Sequence, residues 1–384
     1  MPMIDEEEKS EVLKVLDENA LTSAAKNGGK RVRDFEGLLK DFLKVKHVIA
    51  VNSGTSALHA AMLATENIKP GDEVLLPSFS FVATANAVIA AGAKPIFVDI
   101  NKRDYTIDIC DLERKISHKS RAIIPVHLYG HPSDMDEIAE LASKHSIDII
   151  EDACQSLGSE YKKRQTGTFG IMGCFSLYAS KVLTSGEGGA IATNSDEIAE
   201  KLKMIRNHGM VEGYDTAIFG LNMRLPEISA AIAKVQMKKI RRMLASRRKN
   251  AELLTRLLLP LIFDIDKIQY KRESSTLELR IPEETKEKQF NWYLYTISFG
   301  MDGLRNDIRD NMQRDKIGVT VYYNPPIHKT PYYEKSSGFT NLPLTNTDWA
   351  CEHVLSFPVH PMVTEEDIEF IVDSLKKHCE RFLI

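Results

Sequence analysis

Four short segments carry residues that could do chemistry, and they come in a fixed order. The first is Asn52-Ser53-Gly54-Thr55-Ser56-Ala57-Leu58, which follows an apolar run and opens a helical pattern. Gly54 permits a tight turn. Thr55 and Ser56 then sit in the first helical turn, where free N–H groups and hydroxyls either cup a phosphate dianion or simply cap the helix. The second is Ile149-Ile150-Glu151-Asp152-Ala153-Cys154-Gln155, an apolar strand pattern ending in two acids. One of them must point toward the cleft or the helix layer, where a carboxylate needs a cation or hydrogen-bond donors. A protonated ring nitrogen is one such cation; a lysine or a helix cap is the alternative. The third segment, Gly173 to Lys181, places Ser176 and Lys181 after another apolar run. The fourth, Thr184-Ser185-Gly186-Glu187-Gly188-Gly189, is either a passage of backbone close to a bulky group or a plain glycine turn. A lysine between a strand and such a turn faces a cleft. Its amine attacks a carbonyl once a desolvated or cationic neighbourhood lowers its pKa.

Singly these segments are weak; their joint order is not. A phosphate cup, a strand-end acid, then a serine and a lysine ask for one ligand with a phosphate, a basic ring nitrogen and an aldehyde. Pyridoxal 5′-phosphate has all three and acts as an electron sink. A generic nucleotide-binding protein fits less well, because no GxGxxG or Walker loop follows a strand.

The elements around these residues alternate. Strands are predicted at His47–Val51, Glu73–Leu76, Pro95–Val98, Ala122–Val126, Asp148–Ile150, Gly173–Leu177 and Gly189–Thr193. Helical patterns lie between them at Thr55–Glu66, Ser80–Ala91, Asp134–His145 and Asp196–Asn207. The expected fold is α/β, a mainly parallel seven-stranded sheet between helices, with ligands at the carboxyl ends of the strands. A long helical pattern from Pro226 to Leu259 carries Lys238, Lys239, Arg241, Arg242, Arg247, Arg248 and Lys249. It is read as the solvated face of a helix linking two domains, the alternative being a dock for an anionic ligand. Past Pro260 the texture changes, with strands near Trp292–Ser298 and Val319–Tyr322 and helices at Leu304–Asp315 and Glu365–Cys379. The expected division is a large α/β domain over 1–250 and a smaller α+β domain over 251–384.

Composition narrows the classes. The chain has 384 residues, 43% hydrophobic and 27% charged, which is ordinary for a globular protein. Lys plus Arg number 50 against 54 for Asp plus Glu, a net charge of −4, so the basic surplus of a nucleic-acid binder is missing. Five scattered cysteines, with no CxxC, fit a reducing compartment and neither a disulfide framework nor a zinc ribbon. No secretory signal or membrane span is visible. The expectation is a cytoplasmic protein with no metal, no nucleic acid and no membrane partner.

From about Phe35 to its end the chain resembles the DegT/DnrJ/StrS family of sugar aminotransferases, which use pyridoxal phosphate on the fold type I scaffold. The likeness rests on NSGTSAL (52–58), PSFSFVATANAV (77–88), AGAKPIFVDI (91–100), PVHLYGHPSDMD (125–136), IIEDACQSLG (149–158), FSLYASKVLTSGEGGAI (175–191), RNHG (206–209), LNMRLPEISAAI (221–232) and LSFPVHPMVTEEDI (355–368). The resemblance implies that Lys181 forms the imine with the cofactor aldehyde and later shuttles the proton, and that Asp152 partners the pyridinium nitrogen. It implies Gln155 near the ring hydroxyl, Thr55, Ser56 and Ser176 on the phosphate, and Phe81 stacked on the ring. Asn222 would reach the phosphate held by a neighbouring subunit, which makes a homodimer with shared sites. His328 and Tyr178 would lie on the substrate side. Leu177, Cys154 and Leu221 depart from the family pattern and bear on the substrate pocket rather than the cofactor. Relatives that dehydrate sugars carry His where Lys181 stands. The implied reaction is transfer of an amino group from an amino acid, L-glutamate foremost, to a keto group of a nucleotide-linked sugar for amino-sugar and polysaccharide biosynthesis. The alternatives are a dehydratase or cyclitol aminotransferase on the same scaffold, or a non-catalytic regulator that binds the cofactor.

Overall fold

The computed structural model describes residues 3–271, 278–335 and 343–380. The seven apolar runs form one sheet. Its strands are β1 (His47–Val51), β2 (Glu73–Pro77), β3 (Lys94–Val98), β4 (Ser120–Ile123), β5 (Asp148–Asp152), β6 (Met172–Ser176) and β7 (Gly189–Thr193). They lie in the order β1-β7-β6-β5-β4-β2-β3. Only β7 runs against its neighbours; the pairs β2–β3, β2–β4, β4–β5 and β5–β6 are parallel.

Helices cover both faces, which is why these strands read as nearly continuous apolar runs rather than alternating ones. On one face Ile49, Val51, Ile150, Met172, Cys174 and Ile191 pack with residues of the helices Gly54–Ala64, Ala83–Ala90 and Asp196–Ile205. On the other, Val48, Ala50, Phe175, Ala190 and Ala192 pack with the helix Lys30–Leu43 and the first half of the long helix Glu227–Lys271. Leu75, Ile123 and Ile149 meet the helix Met135–His145.

The long helix changes cores along its length. Ala230, Ala233, Met237, Ile240 and Met243 join the large sheet. Ala251, Leu254, Leu258 and Leu261 join a second core, built on the strands Leu279–Arg280, Tyr295–Phe299 and Val354–Phe357 and the helices Leu304–Arg314 and Glu365–Glu380.

Three expectations need correction. The predicted strand Val319–Tyr322 reduces to a single bridge between Thr320 and Ser356, because the next residues, Tyr322 and Tyr323, leave the sheet edge and line a cavity. The helix predicted from Ser80 starts only at Ala83, so Phe81 stands ahead of it. The basic face is not uniformly solvated. Lys239 and Arg247 are buried, since with Met243 they fall on one stripe at four-residue steps, the stripe that faces the cores. Lys239 pairs with Asp5 at 2.8 Å and Glu8 at 2.9 Å, beside the N-terminal helix Glu6–Asp17.

Candidate active site

The carboxyl ends of β1, β2, β5 and β6 converge with the turn into β7 on a cavity of about 630 Å³, inside the usual range for small-molecule sites. The sheet register decides which side chains reach it. Asp152 stands opposite Cys174 across the β5–β6 pair. Because side chains alternate along a strand, Asp152, Cys174 and Ser176 share the face covered by the helix Gly54–Ala64.

The same alternation sends Glu151 the other way, into full burial. It accepts the N–H groups of Gly167 at 2.7 Å, Phe169 at 2.6 Å and Gly170 at 2.7 Å. Its fourth partner is His127 Nε2 at 3.0 Å. His127 Nδ1 accepts the Ser133 N–H at 3.0 Å, so Nε2 is the nitrogen that donates. Of the two adjacent acids, Glu151 anchors a loop and Asp152 faces the cavity. Asp152 Oδ2 accepts Thr84 Oγ1 at 2.8 Å, and Oδ1 accepts the Cys154 N–H at 3.2 Å. Among the described residues no side-chain cation forms an ion pair with it.

The two readings of the 52–58 segment divide between its residues. Ser53 is the cap: its Oγ accepts the Ser56 N–H at 3.0 Å and donates to Ser56 Oγ at 2.9 Å. Thr55 is exposed and lines the cavity, as does Ser176, whose Oγ accepts the Tyr178 N–H at 3.3 Å. Gly54 brings the helix terminus against β6. A Cβ there would stand 2.8 Å from Ser176 Cβ and 3.1 Å from Cys154 Sγ.

Lys181 lines the cavity with its Nζ 4.8 Å from the centre of the Tyr293 ring. Its backbone N–H donates to the Tyr178 carbonyl at 2.9 Å in a tight turn. Ser180 Oγ and Tyr293 OH lie 3.2 Å apart. Phe81, half exposed, tilts at 40° to Tyr323 with ring centres 5.9 Å apart. Gln155 is held at both ends: Oε1 accepts the Tyr129 N–H at 2.8 Å and Nε2 donates to Tyr323 OH at 3.1 Å. Burial, and then the nearby Asp152 charge, hold the Cys154 thiol well above its ordinary pKa, so it stays a neutral neighbour of the lysine. Burial likewise raises the Tyr323 phenol.

The cavity thus gathers Thr55, Phe81, Asp152, Gln155, Ser176, Tyr178 and Lys181. Three other expected residues lie outside its lining. The Ser56 hydroxyl is tied to Ser53. Asn222 is exposed on the surface, its carbonyl 3.5 Å from Asn52 Nδ2; its expected role concerned a neighbouring subunit. His328 is buried against Ser78, with Nδ1 2.7 Å from Ser78 Oγ and its backbone N–H donating to that oxygen at 3.1 Å. Its Nε2 is 3.5 Å from Asp348, and burial lowers its pKa. The residues before it, Tyr322 and Tyr323, enter the cavity instead.

Sequence reasoning missed Thr84, Ser180, Glu187, Tyr293 and Tyr323, all in the lining. Thr84 carried a signal, since it follows Phe81 by one helical turn. Tyr293 carried none, because it is remote in sequence from Lys181 and stands just before the strand Tyr295–Phe299. Among the described residues there is no cluster of three or more His, Cys, Asp or Glu side chains that could hold a metal ion.

Residues 2–376 match the DegT/DnrJ/EryC1/StrS aminotransferase family. The GDP-perosamine synthase of Caulobacter vibrioides is 32% identical over 97% of this chain and 96% of its own length. The solved structure of PseC from Helicobacter pylori, an aminotransferase of pseudaminic acid biosynthesis, superposes with a TM-score of 0.88. It is 30% identical and covers 99% of this chain and 98% of that one. DesV of S. venezuelae superposes with a TM-score of 0.87 at 30% identity, over 98% of this chain and 95% of that one. With its sheet order, its cavity and these relatives all in agreement, the chain belongs to the DegT/DnrJ/EryC1/StrS aminotransferase family and is an aminotransferase.

Proposed function

We propose that this aminotransferase works with pyridoxal 5′-phosphate and moves an amino group from an amino acid, L-glutamate foremost, to a keto group of a nucleotide-linked sugar for amino-sugar and polysaccharide biosynthesis. One observation carries the reading. A single cavity holds the Lys181 amine, the cation-free Asp152 carboxylate, and the Thr55 and Ser176 hydroxyls at a helix N-terminus. The substrate class draws support from relatives named for GDP-, UDP- and dTDP-linked amino sugars.

The residues present fit the cofactor. Asp152 is nearly buried and accepts two neutral donors, so it has room for the positive ring nitrogen that such a carboxylate needs. The first turn of the helix Gly54–Ala64, with Thr55 and Ser176, would take the phosphate. When bound, the cofactor supplies an electron sink for the carbon that loses its proton. The chain does the rest. Asp152 would keep the ring nitrogen charged, Phe81 would cover a ring face and Gln155 would lie near the ring hydroxyl. Lys181 Nζ would hold the cofactor at rest and, when free, would take up the substrate proton and return it. Tyr178, at the rim, meets the sugar. His328 lies behind this lining, against Ser78.

The same proposal includes a homodimer in which Asn222 reaches the partner's phosphate, and a division into a large domain 1–250 and a small domain 251–384. The change of cores along the long helix supports that division. A cytoplasmic location is proposed because all five cysteines are free, which suits a reducing compartment.

The test is direct. Protein purified with pyridoxal phosphate should show a visible absorption band that L-glutamate bleaches and that Lys181→Ala lacks. Borohydride reduction and peptide mapping should place the adduct on Lys181. An adduct elsewhere, or none, overturns the reading. A panel of GDP-, UDP- and dTDP-linked keto sugars then identifies the acceptor.

A further inference from the structure

Behind Tyr293 lies a second, smaller cavity of about 150 Å³. Its walls include Ser180, Tyr293, Tyr322, Thr320, Arg247 and His360. Ser180, Tyr293 and Tyr322 also line the active cavity, so the two share a wall.

Arg247 is the unusual feature. It is 5% exposed. Its Nη1 donates to the carbonyls of Trp292 and Tyr293, each at 3.2 Å, which satisfies hydrogen bonds but neutralises no charge. Its Nε is buried without a partner. Among the described residues no carboxylate pairs with it. Burial lowers its pKa only to about 10, so it stays protonated.

Other buried arginines of the chain are treated differently. Arg31 pairs with Glu18 and Arg206 with Glu36. Arg305 also lacks a carboxylate, but its Nε, Nη1 and Nη2 all have partners, in Asn306, Val354 and Cys351. Among the described residues only Arg247 combines a missing counter-ion, an unpartnered nitrogen and a cavity. His360 adds a second unpartnered buried nitrogen, Nδ1, on the same wall.

An uncompensated guanidinium in so dry a place is costly. A carboxylate offsets that cost through charge and paired N–H···O bonds. The cavity is too small for a nucleoside diphosphate and suits a carboxylate on a short carbon chain. Tyr293 connects it to the chemistry, because one residue presents its ring to Lys181 Nζ and its carbonyl to Arg247.

We propose that this pocket is an anion subsite of the active site, in which Arg247 binds a carboxylate of the amino donor. The inference rests on the amino-transfer reading for the identity of the donor, and on Arg247 alone for the anion.

The probe is glutarate, a dicarboxylate that cannot react, titrated by calorimetry into the full-length protein with and without pyridoxal phosphate. Wild-type protein should bind it, and Arg247→Gln should bind about 30-fold more weakly or not at all. Arg247→Gln also removes the ties to Trp292 and Tyr293 and could fail to fold. Thr320→Glu therefore serves as the second variant, because it keeps the guanidinium and places an acid in the pocket. It should fold and lose glutarate binding by a similar factor. Reaction with L-glutamate and with L-alanine then separates the two carboxylates. Loss with both donors in the variants assigns the α-carboxylate; loss with L-glutamate alone assigns the side chain. Equal glutarate affinity in wild type and variants, or no binding by wild type, overturns the subsite. Arg247-dependent binding in a protein that never takes up the cofactor would retain the subsite and sink the pyridoxal-phosphate reading instead.

Discussion

Thr84 Oγ1 lies 2.8 Å from Asp152 Oδ2, and Ser80 Oγ lies 3.0 Å from the same threonine oxygen. The carboxylate can only accept, so Thr84 donates to it and Ser80 donates to Thr84. This relay fixes the Asp152 carboxylate from the loop that carries Phe81. A hydrogen bond to a charged group contributes about 1.5–3 kcal/mol. Thr84→Val keeps the shape and removes the donor. Affinity for pyridoxal phosphate, measured by equilibrium dialysis, should fall about tenfold, which corresponds to the low end of that range. Unchanged affinity would show that the relay does not position Asp152.

Glu151 and Asp152 are neighbours in sequence with opposite duties, and substitution separates them. Glu151→Gln puts an amide donor against three backbone N–H groups and His127. It should destabilise the fold by about 3 kcal/mol, seen as a lower denaturation midpoint. Asp152→Asn should change stability by no more than about 1 kcal/mol yet lose most cofactor binding. The reverse pattern would mean that the two roles are exchanged.

Gly54→Ala tests the approach of helix to strand. Alanine favours a helix over glycine by about 1 kcal/mol, but here its methyl meets Ser176 Cβ at 2.8 Å on the neighbouring strand. Overpacking of this kind costs about 1–3 kcal/mol. The variant should be less stable in urea and weaker for phosphate-bearing cofactor than for pyridoxal itself.

His131 gives a pH signature. It is buried, stacks on Phe290 with ring centres 4.1 Å apart, and leaves Nε2 unpartnered. Burial lowers its pKa to about 4 from 6.5. Below 6.5 the unfolded chain takes up a proton that the folded chain refuses, so stability falls as pH falls, down to about 4. Between pH 7 and pH 5 this one group removes about 2 kcal/mol. The drop in unfolding free energy over that interval should be smaller by that amount in His131→Asn. An equal drop in both proteins would disprove it.

Much of this protein was legible in its residues. The seven strands, their alternation with helices, and the order of cup, acid, serine and lysine are local or near-local patterns, since burial on both faces of a parallel sheet leaves apolar runs in the chain. The strand pattern alone left open which of two adjacent strand-end acids faces the cavity, and only the family resemblance pointed to Asp152. The period of two along β5 and its register with β6 chose Asp152. The division of Ser53, Thr55 and Ser56 between cap and cavity likewise waited for the helix terminus to be seen against Ser176. Tyr293, Thr320 and Arg247 were out of reach, because no short-range pattern links the middle of a long helix, or segments remote in sequence, to Lys181. Arg247 looked like one cation on a solvated face. Only packing removed it from water without giving it an anion, because desolvation belongs to a place in the fold rather than to a residue type.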